Sequence, residues 1–250
     1  MAELAGILLH PVKALDAVPV SEVRVLPSGA LEHDRRWALI DGAGRFVNGK
    51  NRAVVHEIGA EVDVGRLEIS LEGRVFSLVE QGNELAAYFS DRFSEPIRFL
   101  ENSQVGFPDD LDSPGPTCVS RASLAEVAAW FGFSVDEARA RFRTNLEIDG
   151  VESFWEDQLY GATFAAGDVE IQAINPCQRC VVPSRHPGTG AVTGGFQKTF
   201  VARRRASFPQ AASAELFNHY YRFAVNTKIS TAQAGKILRV GDQVRFPLAG

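Results

Sequence analysis

The residues best suited to chemistry are Cys177 and Cys180, two of the three cysteines in the chain. They have CxxC spacing within residues 175–180, and Arg179 lies between them. A thiolate binds metals and attacks electrophiles, and a neighbouring guanidinium favours the charged form of the sulfur. The pair therefore predicts a site that binds a metal or transfers an electrophilic group.

Three alternative roles for the pair stay open when the residues are considered alone. A structural zinc site needs four ligands, but Cys118 stands alone and His186 has no histidine partner at ligand spacing. A thioredoxin-like pair begins a helix, whereas this pair leaves a predicted strand and enters residues 181–183, which we expect to be extended. Two buried cysteines without any chemistry are the third alternative, because free cysteine is among the most buried residue types.

The composition is that of an ordinary folded protein. The chain has 250 residues, of which 45% are apolar and 23% charged, and its net charge is −5. The acidic balance disfavours a nucleic-acid partner, which usually meets a basic surface. No apolar run reaches the roughly 18 residues of a membrane span, and the N-terminus does not resemble a secretory signal. We therefore expect a cytoplasmic protein with no membrane span and with reduced cysteines.

The elements that must position the cysteines divide the chain into two halves. Residues 1–100 consist mostly of predicted strands, with a hairpin about residues 72–73 and a short helix over 83–93. Residues 101–116 are rich in Pro, Asp, Ser and Gly, which predicts a connector. Residues 117–250 form the second unit. The pattern predicts a mainly β protein with several helices, as in a decorated barrel.

The second half begins with helices and returns to strands. Ser123 and Ser134 each stand three residues before a Glu, which is capping-box spacing, and Ser153 is a third candidate for a helix start. Strands are predicted over residues 169–174, 221–225 and 236–246. The first of these strands leads directly into the CxxC pair.

A resemblance to a known family covers nearly the whole chain. The run Asn-Pro-Cys-Gln-Arg-Cys at 175–180, followed by Pro-Gly-Thr-Gly at 187–190, resembles the signature of the MOSC domain, named after the C-terminal domain of molybdenum cofactor sulfurases. The first half resembles the N-terminal β-barrel domain that accompanies it in the amidoxime-reducing members and their bacterial relatives. The other matching runs, in the order of the family, are residues 10–13, 34–37, 143–145, 155–157, 167–169 and 235–242.

The resemblance implies a MOSC-type β-barrel domain packed against an N-terminal β-rich domain, with a molybdenum–pterin cofactor between them. In relatives the second cysteine is the ligand, so Cys180 would be the catalytic metal ligand and Cys177 a supporting residue. Molybdenum is thiophilic and the pterin brings two sulfurs, so one protein thiolate is sufficient. At family positions that hold the anionic cofactor, this chain has Lys13, Arg35, Ser120, Arg143, Asn145 and Arg179.

The implied activity is reduction of a small N-hydroxylated or other N–O substrate. The sequence has no iron–sulfur cysteine set and no flavin or nicotinamide fingerprint, so electrons would come from a separate donor protein. The alternative is a sulfur-carrier or cofactor-binding module in which Cys180 carries a persulfide. That sulfur would come from another protein, because the chain has no pyridoxal-phosphate domain. The basic run 203–205 is either a solvated helix face or a surface for the cofactor or the electron donor.

Overall fold

The structure, a computed structural model, describes residues 1–209, 212, 215 and 217–246. The end of the predicted second half, residues 247–250, lies outside the described residues. The described helices are α1 (Gly82–Phe93), α2 (Arg121–Phe131), α3 (Val135–Phe142) and α4 (Phe196–Ala206). The described strands are β1 (Glu3–Leu9), β2 (Val18–Val20), β3 (Glu22–Arg24), β4 (Trp37–Asp41), β5 (Ala60–Asp63), β6 (Glu68–Leu71), β7 (Arg74–Ser77), β8 (Ile97–Glu101), β9 (Cys118–Ser120), β10 (Leu146–Asp149), β11 (Thr163–Ala166), β12 (Val169–Gln178), β13 (Arg222–Lys228), β14 (Ile237–Arg239) and β15 (Val244–Arg245).

An eight-stranded sheet organises the fold, in the order β15-β11-β12-β13-β9-β10-β1-β2. Its pairs are antiparallel except for β9 and β10, which run parallel. The predicted mainly β architecture with several helices is confirmed. None of the helices in the described residues is long and apolar enough to cross a membrane.

Strands from both halves of the chain share this sheet. β1 pairs with β10 and β2 pairs with β1, while β3 forms a separate two-stranded sheet with β14. The apolar side chains of β1, Leu4, Ile7 and Leu9, are buried in one core with Leu146 and Ile148 of β10. The predicted connector separates the halves in sequence, while the sheet joins residues from either side of it.

The rest of the first half forms a second, smaller core. Strands β4 and β8 pair with each other, and β5, β6 and β7 form a three-stranded sheet. Phe89 of α1 packs with Trp37 and Ile69 in this core. The predicted hairpin is confirmed, with Glu72 and Gly73 both at positive φ between β6 and β7.

The helices α2 and α3 begin at serine caps. Ser134 caps α3, since its side chain accepts from the Glu137 N–H. The prediction that Ser123 begins a helix is wrong by one turn: α2 is capped by Ser120, whose Oγ accepts from the Ser123 N–H at 3.0 Å. A serine three residues earlier therefore takes the capping position.

Two segments differ from their predicted local structure. The helix expected after Ser153 is a short 3-10 helix, Trp155–Gln158, preceded by Phe154 in the left-handed conformation. Residues 181–183, predicted to be extended, turn at once into the 3-10 helix Val182–Ser184. Pro183 lies in its first turn, where proline's fixed φ fits and its missing N–H is not needed.

Candidate functional site

A cleft of about 1120 Å³ lies between the two halves of the chain, at the end of β12. Residues from both halves line it, because β1 and the segment after it run next to β10. The cleft contains the CxxC pair and five of the six residues expected to hold a cofactor. These lining residues are Lys13, Arg35, Arg143, Asn145, Cys177, Arg179 and Cys180.

The end of β12 positions both cysteines. Its pairing with β13 is irregular between Pro176 and Gln178, so Cys177 lies in a distorted strand end and Cys180 lies just beyond it. Arg222 donates from Nη1 to the carbonyl of Pro176 at 2.6 Å, which fixes this end. Both thiols are free and partly buried. Burial raises the pKa of the Cys177 thiol, and the nearby Arg179 guanidinium opposes that rise.

Arg179 holds the cysteine loop by binding backbone carbonyls. Its Nε and Nη2 donate to the carbonyl of Phe223 at 2.9 and 2.7 Å, and Nη1 donates to the carbonyl of Phe142 at 3.0 Å. The guanidinium is thus engaged by β13 and the end of α3. In this structure Arg179 positions the CxxC loop and keeps a positive charge beside it.

The chain after Cys180 is fixed by a second buried arginine. Arg141 is 3% exposed and donates from Nη1 to the carbonyls of Pro183 and Arg185, at 2.9 and 2.7 Å. Its other nitrogens bind Glu137 on the same helix. Arg141 therefore anchors one wall of the cleft to α3. No motif in the sequence pointed to it.

Arg143 differs from the other cationic residues expected at this site. It ends α3 in the left-handed conformation, and its side chain forms no hydrogen bond or ion pair with any described residue. Burial lowers its pKa to about 10, and the charge of Arg35 adds to this effect. A partly buried guanidinium without an anionic partner is poorly compensated, so it favours binding of an anion from outside the protein.

Lys13 and Arg35 line the same cleft but already have carboxylate partners. Lys13 Nζ donates to Asp109 Oδ1 at 2.6 Å and to the carbonyl of Phe107 at 2.8 Å. Arg35 is ion-paired with Asp34. Burial lowers the pKa of Lys13 and the Asp109 carboxylate opposes the shift. Asp109 is 71% exposed, so an incoming anion can replace it at modest cost.

Asn145 and Ser120 have structural partners. Asn145 is fully buried; its Oδ1 accepts from the Thr117 N–H at 3.1 Å and its Nδ2 donates to the Leu8 carbonyl at 2.9 Å. It therefore joins β1 to the start of β9. Ser120 does not line the cleft: it is buried at the N-cap of α2. The structure shows Ser120 as the cap of α2, and its contact with a cofactor stays a prediction.

Family models cover both halves of the chain. The model of the MOSC N-terminal beta barrel domain matches residues 1–80, and the MOSC domain model matches residues 117–245. This chain belongs to the MOSC domain family. Its CxxC pair lies in the part matched by the MOSC domain, while Lys13 and Arg35 lie in the part matched by the N-terminal domain.

Curated relatives of this MOSC chain share low identity over most of its length. It is 25% identical to mitochondrial amidoxime-reducing component 1 of Xenopus laevis, over 96% of this chain and 81% of that protein. It is 24% identical to mitochondrial amidoxime reducing component 2 of Homo sapiens, over 96% and 82%. The solved YuaD protein from Bacillus subtilis aligns over 97% of this chain and 93% of its own, with 11% identity and a TM-score of 0.44.

Several residues of the MOSC cleft had no signal in the sequence. Lys50, His56 and Arg185 also line it. His56 lies so close to Gly49 that a Cβ there would come within 2.3 Å of Nε2, so any larger residue would require the imidazole to move. Such contacts join segments that no sequence motif links, so only the folded chain reveals them.

The cysteines of this MOSC chain do not belong to a larger cluster of metal-binding side chains within the described residues. In the described part of the chain, no group of three or more His, Cys, Asp or Glu residues could hold a metal ion. Cys118 is fully buried in β9, and burial raises the pKa of its thiol.

Proposed function

We propose that this MOSC chain binds a molybdenum–pterin cofactor in the cleft and reduces N-hydroxylated or other N–O compounds with electrons from a separate protein. Arg143 is the observation that carries the proposal. It is a partly buried cation without a partner among the described residues, in the same cleft as two free thiols. The curated relatives are named amidoxime-reducing components, which supports the choice of reaction.

The residues of the cleft fit the chemistry of such a cofactor. Cys180 would provide a thiolate, the ligand type that molybdenum prefers. Arg143 would hold an anionic group such as a phosphate, and Lys13 and Arg35 would add positive charge at the same wall. A cleft of about 1120 Å³ has room for a ligand larger than a simple substrate.

In this proposal the cofactor and the arginines of the cleft have separate tasks. The cofactor, when bound, would supply two-electron redox chemistry. Arg179 and Arg141 hold the CxxC loop and the wall after it through backbone carbonyls. The overall reaction takes two electrons and two protons, cleaves the N–O bond of the substrate and releases water.

The reaction can be tested with a chemical reductant. Protein from a cofactor-producing host should reduce benzamidoxime with reduced methyl viologen, and it should not do so with NADH alone. Protein from a host that cannot make the cofactor is the matched control. Molybdenum-loaded protein that leaves benzamidoxime unreduced with viologen would contradict the proposal. Protein with a persulfide on Cys180 and no molybdenum would instead support a sulfur carrier.

A further inference from the structure

A long stretch of the sequence after the start of β12 has no acidic residue. From Ile171 to Ala214 there is no Asp or Glu, although the chain contains 31 of them and has a net charge of −5. The basic residues of the stretch are Arg179, Arg185, Lys198, Arg203, Arg204 and Arg205. The segment therefore carries a net positive charge within an acidic protein, because it lacks acidic residues and not because it is unusually rich in basic ones.

Helix α4 presents part of this charge to solvent. Phe196, Phe200 and Arg204 are buried, and Arg204 is ion-paired with Asp157. Interpreting the whole run 203–205 as a solvated face is therefore wrong for Arg204. Lys198 and Arg205 are exposed and lie seven residues apart, so both lie on one side of the helix. Neither forms an ion pair within the described residues.

A groove of about 920 Å³ separates α4 from the loop that precedes it, and we call it the α4 groove. Val192, Val201 and Ala202 give it apolar lining, while Lys198 and Arg205 add charge. Val192 is 64% exposed. An apolar centre with a charged border is the usual arrangement of a small protein-binding surface.

The α4 groove and the cleft share one wall. In the 3-10 helix Val182–Ser184, Val182 and Pro183 line the cleft, whereas Ser184 lines the α4 groove. This wall follows Cys180 directly and is anchored by Arg141. Between a protein bound in the α4 groove and the cleft lies the 3-10 helix Val182–Ser184. This helix begins two residues after Cys180, the proposed metal ligand.

We propose that the α4 groove binds an acidic protein that donates one electron at a time to the proposed reductase. This inference rests on the proposed function. Two donor molecules, each oxidised by one electron, supply one turnover, and the substrate oxygen leaves as water with two protons from solvent. Complementary charge accelerates association, and weak redox complexes bury little surface, which suits a groove of this size.

The binding test uses a plant-type [2Fe–2S] ferredoxin as the acidic probe. Wild-type protein, with or without cofactor, should bind it at low salt and lose it as salt screens the charges. Lys198→Glu/Arg205→Glu should weaken binding by about tenfold or more at low salt. The control Arg66→Glu/Arg98→Glu reverses two exposed charges of the first half and should bind like the wild type. Equal binding by both double variants, or no salt-dependent binding by wild type, would overturn the proposal.

The activity test separates docking from chemistry. In Lys198→Glu/Arg205→Glu, kcat/KM for reduced ferredoxin should fall by about tenfold or more, while viologen-driven turnover stays within about twofold of wild type. Unchanged ferredoxin-driven turnover would refute the docking site. Absence of viologen-driven turnover in all variants, wild type included, would refute the proposed function. The binding test alone would then show whether the α4 groove binds an acidic protein. Self-association that the double variant abolishes would show that a second copy occupies the groove.

Discussion

Arg143 and Arg35 line the same cleft, but only Arg35 has a carboxylate partner within the described part of the chain. Arg35 is paired with Asp34, whereas Arg143 has no partner among the described residues. We therefore predict that Arg143→Gln lowers pterin retention by about 10- to 100-fold, the value of a charge-assisted contact of roughly 1.5–3 kcal/mol. Pterin is measured by fluorescence after oxidation of the purified protein.

Two variants serve as controls for Arg143→Gln. Arg24→Gln removes an exposed arginine of β3 and should keep wild-type pterin content. Arg35→Lys keeps the charge but loses the planar contact, so its loss should be smaller than that of Arg143→Gln. Wild-type pterin content in Arg143→Gln would remove this residue from the site.

His10 gives the apoprotein a defined pH dependence. It is 1% exposed, and burial, with the charge of Arg143, lowers its pKa from 6.5 to about 3. Between these values the unfolded chain binds a proton that the folded chain does not, so acid favours unfolding by up to about 1.4 kcal/mol per pH unit. We predict that wild type loses about 2 kcal/mol of stability, relative to His10→Gln, as the pH falls from 6.5 to 4.5.

Comparing wild type with His10→Gln separates the effect of His10 from that of groups whose contribution to stability changes with pH in the opposite direction. Burial raises the pKa of Glu156 to about 7, so its contribution to stability is lost as the pH rises. This carboxyl is present in both proteins, and its effect cancels in the difference. Free energies of unfolding in urea at several pH values provide the measurement. A difference that does not change with pH would show that His10 has the same pKa in the folded and the unfolded chain, and would contradict this prediction.

At the scale of the elements, Asn145 joins β1 to the start of β9. Replacing it with Ala leaves the partly buried N–H of Thr117 and the buried carbonyl of Leu8 without these partners, which costs about 2–4 kcal/mol. The control Asn226→Ala removes a partly buried side chain whose amide donates to Asn175 at 2.9 Å, and it should cost about 1 kcal/mol. Urea unfolding of the two apoproteins tests this. Equal losses of unfolding free energy in the two variants would contradict the conclusion that Asn145 holds β1 and the start of β9 together.

Local patterns in the sequence predicted the elements whose causes are local. The hairpin between β6 and β7 and the cap at Ser134 depend on residues within a few positions of each other. The CxxC motif also directed attention to Cys177 and Cys180, which both line the cleft, while their role as a site stays a prediction. The partners of Asn145 and Arg179 lie far away in sequence, at Leu8 and Phe223, so no pattern could show that these side chains bind backbone groups.

At the scale of the whole molecule, the shared sheet makes the two halves interdependent. A fragment of residues 117–250 loses β1, the neighbour of β10, together with three buried side chains worth about 1.5–3 kcal/mol each. That loss is comparable to the whole stability of a domain. We predict that the fragment gives no cooperative urea transition, and that adding residues 1–116 restores one. A transition like that of the full chain in the isolated fragment would contradict this interdependence.

Cys180, rather than Cys177, is the proposed molybdenum ligand of this cleft. The family resemblance implies the second cysteine of the motif as the ligand, and Cys180 lies in the cleft just beyond the end of β12. Burial raises the pKa of Cys177, which disfavours its thiolate. The most direct test is molybdenum content by elemental analysis of wild type, Cys177→Ser and Cys180→Ser from one cofactor-producing host. We predict that Cys180→Ser loses the metal while Cys177→Ser keeps most of it. Metal retained by Cys180→Ser and lost from Cys177→Ser would contradict this assignment.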